Sequence, residues 1–174
     1  MHATDAARAM APARVAGLVV REATAGDVDA VVALRLALLR EFAGHPVYGR
    51  LHPDAEDRAP AMCAEQIASA HDVFLLAVLG GGVVGLLRCT ESHASPLLLP
   101  EHFAYVSSAY VVPALRRRGV LRALLDEADR WCAARGLDEM RLHNVPGETA
   151  GAAAWASLGF GVVEEVRIRR LRRG

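Results

Sequence analysis

Between Ala109 and Leu125 the chain reads Ala-Tyr-Val-Val-Pro-Ala-Leu-Arg-Arg-Arg-Gly-Val-Leu-Arg-Ala-Leu-Leu, an order that few folds accommodate. The apolar, β-branched opening predicts the end of a strand. Pro113 stops it, because proline offers no N–H to a ladder and disfavours helix at the residue before it. Arg116, Arg117, Arg118 and Gly119 follow. Leu121, Leu124, Leu125, Ala128, Trp131 and Cys132 then recur at helical spacing. The order is strand, tight basic turn, helix.

Such an order makes an anion site. The first N–H groups of a helix lack partners within it, and the helix dipole places partial positive charge there. Glycine at the turn lets backbone approach a ligand without a Cβ in the way. Phosphate or pyrophosphate is the expected guest, and Arg116, Arg117, Arg118 and Arg122 can add charge-assisted hydrogen bonds. A strand-to-helix turn with a solvated arginine cluster is the plainer alternative. Two common phosphate loops do not fit. No G-x-G-x-x-G follows a strand, and no G-x-x-x-x-G-K-[ST] exists in a chain without lysine.

Composition narrows the partner. Twenty basic residues balance twenty acidic ones, so net charge favours neither nucleic acid nor an anionic membrane. An arginine-rich nucleic-acid-binding domain is further disfavoured by an aromatic content of 5%, too few rings for base stacking. No apolar run approaches the roughly 18 residues of a membrane span. Cys63, Cys89 and Cys132 are widely spaced and show no C-x-x-C, which points to small buried residues in a reducing compartment rather than disulfides or a metal site. Residues 1–17 are alanine-rich but interrupted by Asp5, Arg8 and Arg14, so they read as a loosely held tail of a cytoplasmic protein. Residues 18–174 then form a single domain.

Val111-x-Pro113-x-x-Arg116-x-x-Gly119-Val120-x-x-x-Leu124-Leu125 resembles the acetyl-CoA signature of the GNAT-type N-acetyltransferases, with Leu121 where that family carries Gly or Ala. Trp155-Ala-Ser-Leu-Gly159-Phe160 resembles the family's Y-x-x-x-G-F, with Trp for Tyr. The resemblance covers Leu18 to about Leu171.

In order, Leu18–Arg21 reads as a strand, and Thr24 with Asp27 as a helix start. Val28, Val31, Val32, Leu38, Leu39 and Phe42 mark the buried face of a first helix. Irregular chain from Ala43 to Arg58 precedes a second helix over Ala59–Ala70. In the resembled family this region walls the acceptor site. Val73–Leu79 and Val83–Thr90 around Gly80-Gly81-Gly82 predict a hairpin covered on both faces. A strand follows over Phe103–Val112, then the central helix, ending near Gly136. Next come a strand over Met140–Asn144, a short helix over 148–158 and strand material over Val162–Leu171. The fold class is α/β (α+β), which the resemblance makes a GNAT acyltransferase fold with a mixed, mostly antiparallel sheet flanked by helices.

The resemblance implies acetyl-CoA as cosubstrate and direct transfer to a small-molecule primary amine, in a protein open to forming a homodimer. It assigns the main chain of Tyr110, Val111 and Val112 to the acetyl and pantetheine arm, with a bulge freeing backbone groups there. It gives the pyrophosphate to the backbone of Arg116, Arg117, Arg118, Gly119, Val120 and Leu121, with Arg117 and Arg122 as further phosphate contacts. Asn144 could bond the pantetheine or cap a turn. The family's acid tyrosine aligns with Trp155, whose indole N–H is no acid at neutral pH. Ser107 and Ser108 stand where some relatives carry a glutamate base. Tyr105, His143, Glu148, Glu101 and His102 remain as bases, with His143 favoured because it ends a strand and histidine is the side chain whose charge changes nearest neutral pH. The alternative is an acyl-CoA-binding sensor, weak or inactive as a catalyst, on the same fold.

Overall fold

The computed structural model describes residues 15–145 and 149–171. Its elements in chain order are β1 (Val19–Glu22), α1 (Val28–Glu41), α2 (Ala55–Ala68), β2 (Asp72–Leu79), β3 (Gly82–His93), β4 (His102–Val111), α3 (Val120–Ala133), β5 (Met140–Leu142) and α4 (Thr149–Ser157). They fall into two compact units, one ending at Leu142 and one beginning at His143.

The glycine run makes the hairpin. Leu79 pairs with Gly82, and Gly80 and Gly81 between them have φ of 58° and 81°, the two left-handed residues of a type I′ turn. Five strands lie in the order β1-β2-β3-β4-β5. The first four are antiparallel to their neighbours, while β5 pairs parallel to β4. Val73 to Ala77 is buried without a break, as expected of a strand covered on both faces.

Pleating sorts the two cores. Phe74, Leu76, Leu86 and Tyr110 face one side, where they pack with Val31 of α1 and Cys63 of α2. The other face receives α3, whose Val120, Ala123, Leu124, Leu125, Ala128, Trp131 and Cys132 are buried. Asp27 starts α1. Its carboxylate accepts the Thr24 N–H at 2.7 Å and the Thr24 hydroxyl at 2.9 Å, and both arms of Arg21 at 2.8 and 2.7 Å. The Arg21 guanidinium first, and then the Thr24 N–H, hold this carboxyl well below the usual carboxylate range.

Several ends shift by a few residues, β5 stopping at Leu142 rather than Asn144, and two segments differ more. Helix α2 begins at Ala55, four residues early, and runs through Pro60. Glu56 and Asp57 in its first turn suit the helix dipole, a start signal that the proline masks. At the C-terminus, residues 161–171 form no strand, and Val162, Val163, Val166, Ile168 and Leu171 are all exposed. A β-branched pattern stabilises a strand only when a neighbour completes its ladder. The expected N-terminal tail lies, apart from residues 15–17, outside the described residues, as does Glu148.

Candidate active site

The site is built where β4 parts from β5. Only Ala104, Tyr105 and Val106 of β4 pair with β5, opposite Met140, Arg141 and Leu142. On the β3 side the register slips at the next residue: Val106 pairs with Cys89 and Ser108 with Arg88. Ser107 is therefore a bulge, the one extra residue on the longer strand. The expected bulge within Ala109–Val112 is corrected to this upstream position.

The slip decides which main-chain groups face outward. Val112 donates its N–H to Val84 O at 3.0 Å. Because antiparallel residues alternate between bonded and non-bonded pairs, Ser108, Tyr110 and Val112 turn their N–H and C=O toward β3. Ala109 and Val111 turn theirs toward the edge that β5 leaves uncovered. Of Tyr110, Val111 and Val112, the register turns the main chain of Val111 toward that edge, together with Ala109, and the main chain of Tyr110 and Val112 toward β3.

Beyond the strand the chain makes the predicted basic turn. Pro113–Leu115 form a single 3₁₀ turn. Arg117 then has φ of 61° and Gly119 φ of 78°. Left-handed residues beside right-handed ones curl successive N–H groups into a concavity that suits an anion. Arg117 bears a conformation that is uncommon outside glycine, costing roughly 1–2 kcal/mol. Gly119 is the N-cap of α3, and its carbonyl accepts the Ala123 N–H at 3.0 Å. The N–H groups of Val120, Leu121 and Arg122 thus lie in the first turn, before the intrahelical ladder begins. No acidic residue sits in that turn.

The arginines divide. Arg117 and Arg118 are exposed and Arg122 is half-buried. Arg116 is a brace: its Nε donates to Val111 O at 2.9 Å, an outer nitrogen meets Glu41 at the end of α1, and its guanidinium lies 5.4 Å from the Tyr110 ring centre. It ties the strand end to α1, which the motif alone does not reveal. Gly85 is a second residue that sequence reasoning missed. A Cβ there would stand 3.1 Å from Tyr110 O, 3.4 Å from Val120 and 3.5 Å from Leu124. Its bareness lets the first turn of α3 lie against β3 and β4, and an isolated glycine inside a strand pattern is the available signal.

The proposed bases fare differently. Glu101 is exposed, and the ring Nδ1 of His102 faces Glu91 at 3.2 Å. Hydrogen bonds from His71 and then His102 lower the Glu91 carboxyl. At about 3.4 Å per strand residue, His102 lies roughly 30 Å from Val111, too far to act at the open edge. Tyr105 is half-buried, opposite Thr90 and before the bulge, about 13 Å along the strand from Ala109. His143 and Asn144 are exposed residues at the start of the second unit. The thiols offer no nucleophile: burial pushes Cys89 up to about 12 and Cys132 up to about 11. Among the described residues no group of His, Cys, Asp and Glu has the arrangement of a metal site, and no helix is long and apolar enough to cross a membrane.

Trp155 belongs to a helix cap in the second unit. Gly159 has φ of 94°, its N–H bonds Ala156 O at 3.1 Å, and the Phe160 N–H bonds Trp155 O at 3.0 Å. That pair of bonds is a Schellman motif, and its usual apolar clasp is present as Trp155 edge-on to Phe160 with ring centres 5.3 Å apart. The aromatic-x-x-x-Gly-Phe pattern thus has a local structural cause.

Residues 36–160, well over half of the chain, match the family model for the acetyltransferase (GNAT) family. Over 131 residues, covering 71% of this chain and 86% of the relative, the sequence is 27% identical to aminoglycoside N(6')-acetyltransferase type 1 of Salmonella typhimurium. A protein of the same name from Klebsiella aerogenes is 36% identical over 67 residues, 38% of this chain and 44% of that one. Among solved structures, aminoglycoside N-acetyltransferase AAC(6')-Iy in complex with CoA superposes with a TM-score of 0.74 at 23% identity, covering 92% of this chain and 98% of its own. AAC(6')-Ih from Acinetobacter baumannii gives 0.73 at 20% identity, covering 91% and 100%. At these identities the structural likeness concerns the fold.

Proposed function

The chain belongs to the acetyltransferase (GNAT) family, and from that premise we propose that it moves the acetyl group of acetyl-CoA directly to a primary amine on a small molecule, with an aminoglycoside bearing a 6'-amine as the first acceptor to test. The observation that carries this reading is the continuity of two sets of outward N–H groups. Ala109 and Val111 present theirs along the open edge of β4, and eight residues on the turn at Arg117–Gly119 presents the start of α3.

The residues fit the cosubstrate. The main chain of Arg116–Leu121 would hold the pyrophosphate, aided by the positive end of α3, while Arg117, Arg118 and Arg122 add charge. Val111 and Ala109 would pair with the amide-rich arm and carry the thioester to the bulge. When bound, acetyl-CoA supplies an activated acyl group. The Val111 or Ala109 N–H would donate to the carbonyl oxygen as an entering amine makes it negative, a stabilisation that preorganised donors supply without reorganising. A neutral amine would attack the thioester carbonyl and form the C–N bond. As the C–S bond breaks, the proton lost from the amine nitrogen would pass to water and the departing thiolate would take one from water. Trp155 is not asked to give one. Use of acetyl-CoA, an intracellular thioester, supports a cytoplasmic setting for the reaction. The reading takes residues 18–174 as one acetyltransferase domain, supported by a family match that runs across both compact units.

Trp155 in the family's tyrosine position favours a second reading, an acyl-CoA-binding sensor with weak or no turnover. Thiol release from acetyl-CoA against a panel of amines separates the two. Release with an aminoglycoside supports transfer. CoA binding without release supports the sensor.

A further inference from the structure

Arg88 lies in the middle of β3 between the fully buried Leu87 and Cys89. Its side chain is 13% exposed, its guanidinium lies 5.7 Å from the Phe74 ring centre, and its Nε is buried without a hydrogen-bond partner. One outer nitrogen meets Asp72 on β2, itself 10% exposed. The other donates to Ser107 Oγ at 2.8 Å. Burying a guanidinium and a carboxylate beneath a sheet costs desolvation that an ion pair often fails to recover. An apolar pair at positions 72 and 88 would hold β2 to β3 at less cost. What that pair could not do is grip a residue on β4.

The residue gripped is the bulge. A bulge sets strand phase, because a slip of one residue exchanges inward and outward groups along the rest of the strand. With the extra residue at 107, Ala109 and Val111 face the open edge. Were the slip to migrate past them, their N–H groups would turn into the ladder with β3, and those of Ser108 and Tyr110 would face outward.

We propose that Arg88 is a positioning residue for acetyl transfer: its guanidinium, anchored by Asp72, pins Ser107 and so fixes which N–H groups of β4 meet the thioester. This rests on the acetyl-transfer reading, but the pinning itself is testable without turnover. The Arg88 side chain meets Asp72, Ser107 and the Phe74 ring, none of them in the phosphate loop or α3. The phosphate contacts should therefore survive its loss, and the chemical step should suffer more than CoA affinity, which draws only in part on Ala109 and Val111.

The cleanest variant is Ser107→Ala, since Ser107 is exposed and the Arg88–Asp72 pair survives. We expect turnover to fall about tenfold, equivalent to roughly 1.4 kcal/mol in barrier, with a much smaller loss of CoA affinity and an unchanged melting temperature. Ser107→Thr, which restores the hydroxyl, should restore turnover. Arg88→Lys keeps the charge beside Asp72 but lacks the fork needed to reach both partners. It should lower turnover similarly, and adding Ser107→Ala to it should cost nothing more, as expected of residues acting through one contact. In parallel, the amide NMR signals of Ala109 and Val111 should shift when CoA is added to the wild type and shift less in Ser107→Ala. Unchanged turnover with unchanged amide signals overturns the proposal. So does a loss of turnover accompanied by equal losses of CoA affinity and stability, which would make Arg88 a structural residue only. If the wild type releases no thiol with any amine, the transfer reading fails by itself, and the amide signals alone decide whether Arg88 and Ser107 set the phase of the strand.

Discussion

Gly119→Ala tests whether the turn seen without ligand is the turn that binds. Gly119 has φ of 78°, and an L-residue held in the left-handed region pays roughly 1–2 kcal/mol. Alanine recovers about 0.4–1 kcal/mol through a less free unfolded chain, leaving a net cost near 1 kcal/mol. For a chain of this size that lowers the melting temperature by about 2–4 °C. The ligand-free variant can bear the strain, in which case it melts early and keeps its CoA affinity. It can instead relax the turn, melt normally and bind CoA several-fold more weakly. In saturating CoA both routes end in the same strained turn, so the holo protein should melt about 2–4 °C below the wild type either way. Gly136→Ala is the control. Gly136, just past the other end of α3, has φ of 67° and open space where a Cβ would stand, so the change should lower free and CoA-bound melting equally and leave affinity alone. Differential scanning fluorimetry with and without CoA, together with calorimetric affinities, reads all of this. A Gly119→Ala protein that matches the wild type in saturating CoA would show that the left-handed turn is not part of the bound state.

Gly85→Ala places a methyl 3.1 Å from Tyr110 O and against Val120 and Leu124; backbone cannot yield cheaply there, so α3 should lift from the sheet, with both melting temperature and CoA affinity falling, and a silent mutation would refute the close approach. Asp27→Ala removes the carboxylate that accepts from Thr24 and Arg21 just before α1, at a cost of about 0.5–1.5 kcal/mol at neutral pH. Because the folded carboxyl titrates below its unfolded value, this stabilisation is present above the ordinary carboxylate range and lost as pH falls through the lower folded value. The melting gap between variant and wild type should therefore stay constant above the ordinary carboxylate range and narrow steadily as pH falls below it, and a gap that does not narrow there would contradict the ion pair. Trp155→Phe keeps the apolar clasp on Phe160 and should hold turnover within about tenfold, roughly 1.4 kcal/mol; a loss of a hundredfold with unchanged stability and CoA affinity would bring the indole N–H into the reaction.

Local signals were legible and partnerships were not. Pro113, Gly119 and the leucine spacing after them sufficed to place strand, turn and helix, because each acts through its own backbone. The hairpin at Gly80-Gly81 was equally plain. The bulge at Ser107 depends on the register against β3, and nothing in Val-Ser-Ser-Ala announces it. Arg116 reads as a phosphate ligand until Glu41, distant in sequence, occupies it. Gly85 looks like an ordinary small residue in an apolar run, and only the approach of Val120 and Leu124 gives it a reason. Val162–Leu171 shows the converse: a strand pattern without a strand. Trp155 departs from the family's tyrosine, yet the helix cap it forms with Gly159 and Phe160 needs only an aromatic ring and a carbonyl.

The central claim is acetyl transfer from CoA to an amine, and continuous detection of free thiol tests it directly. Purified protein with acetyl-CoA should release CoA thiol when an aminoglycoside with a free 6'-amine is added, and mass spectrometry should find that aminoglycoside heavier by one acetyl group. Gly119→Glu, whose carboxylate would enter the phosphate site, should release none while remaining folded. Tight CoA binding by the wild type with no thiol released and no acetylated product, across aminoglycosides and simpler primary amines, would contradict the claim.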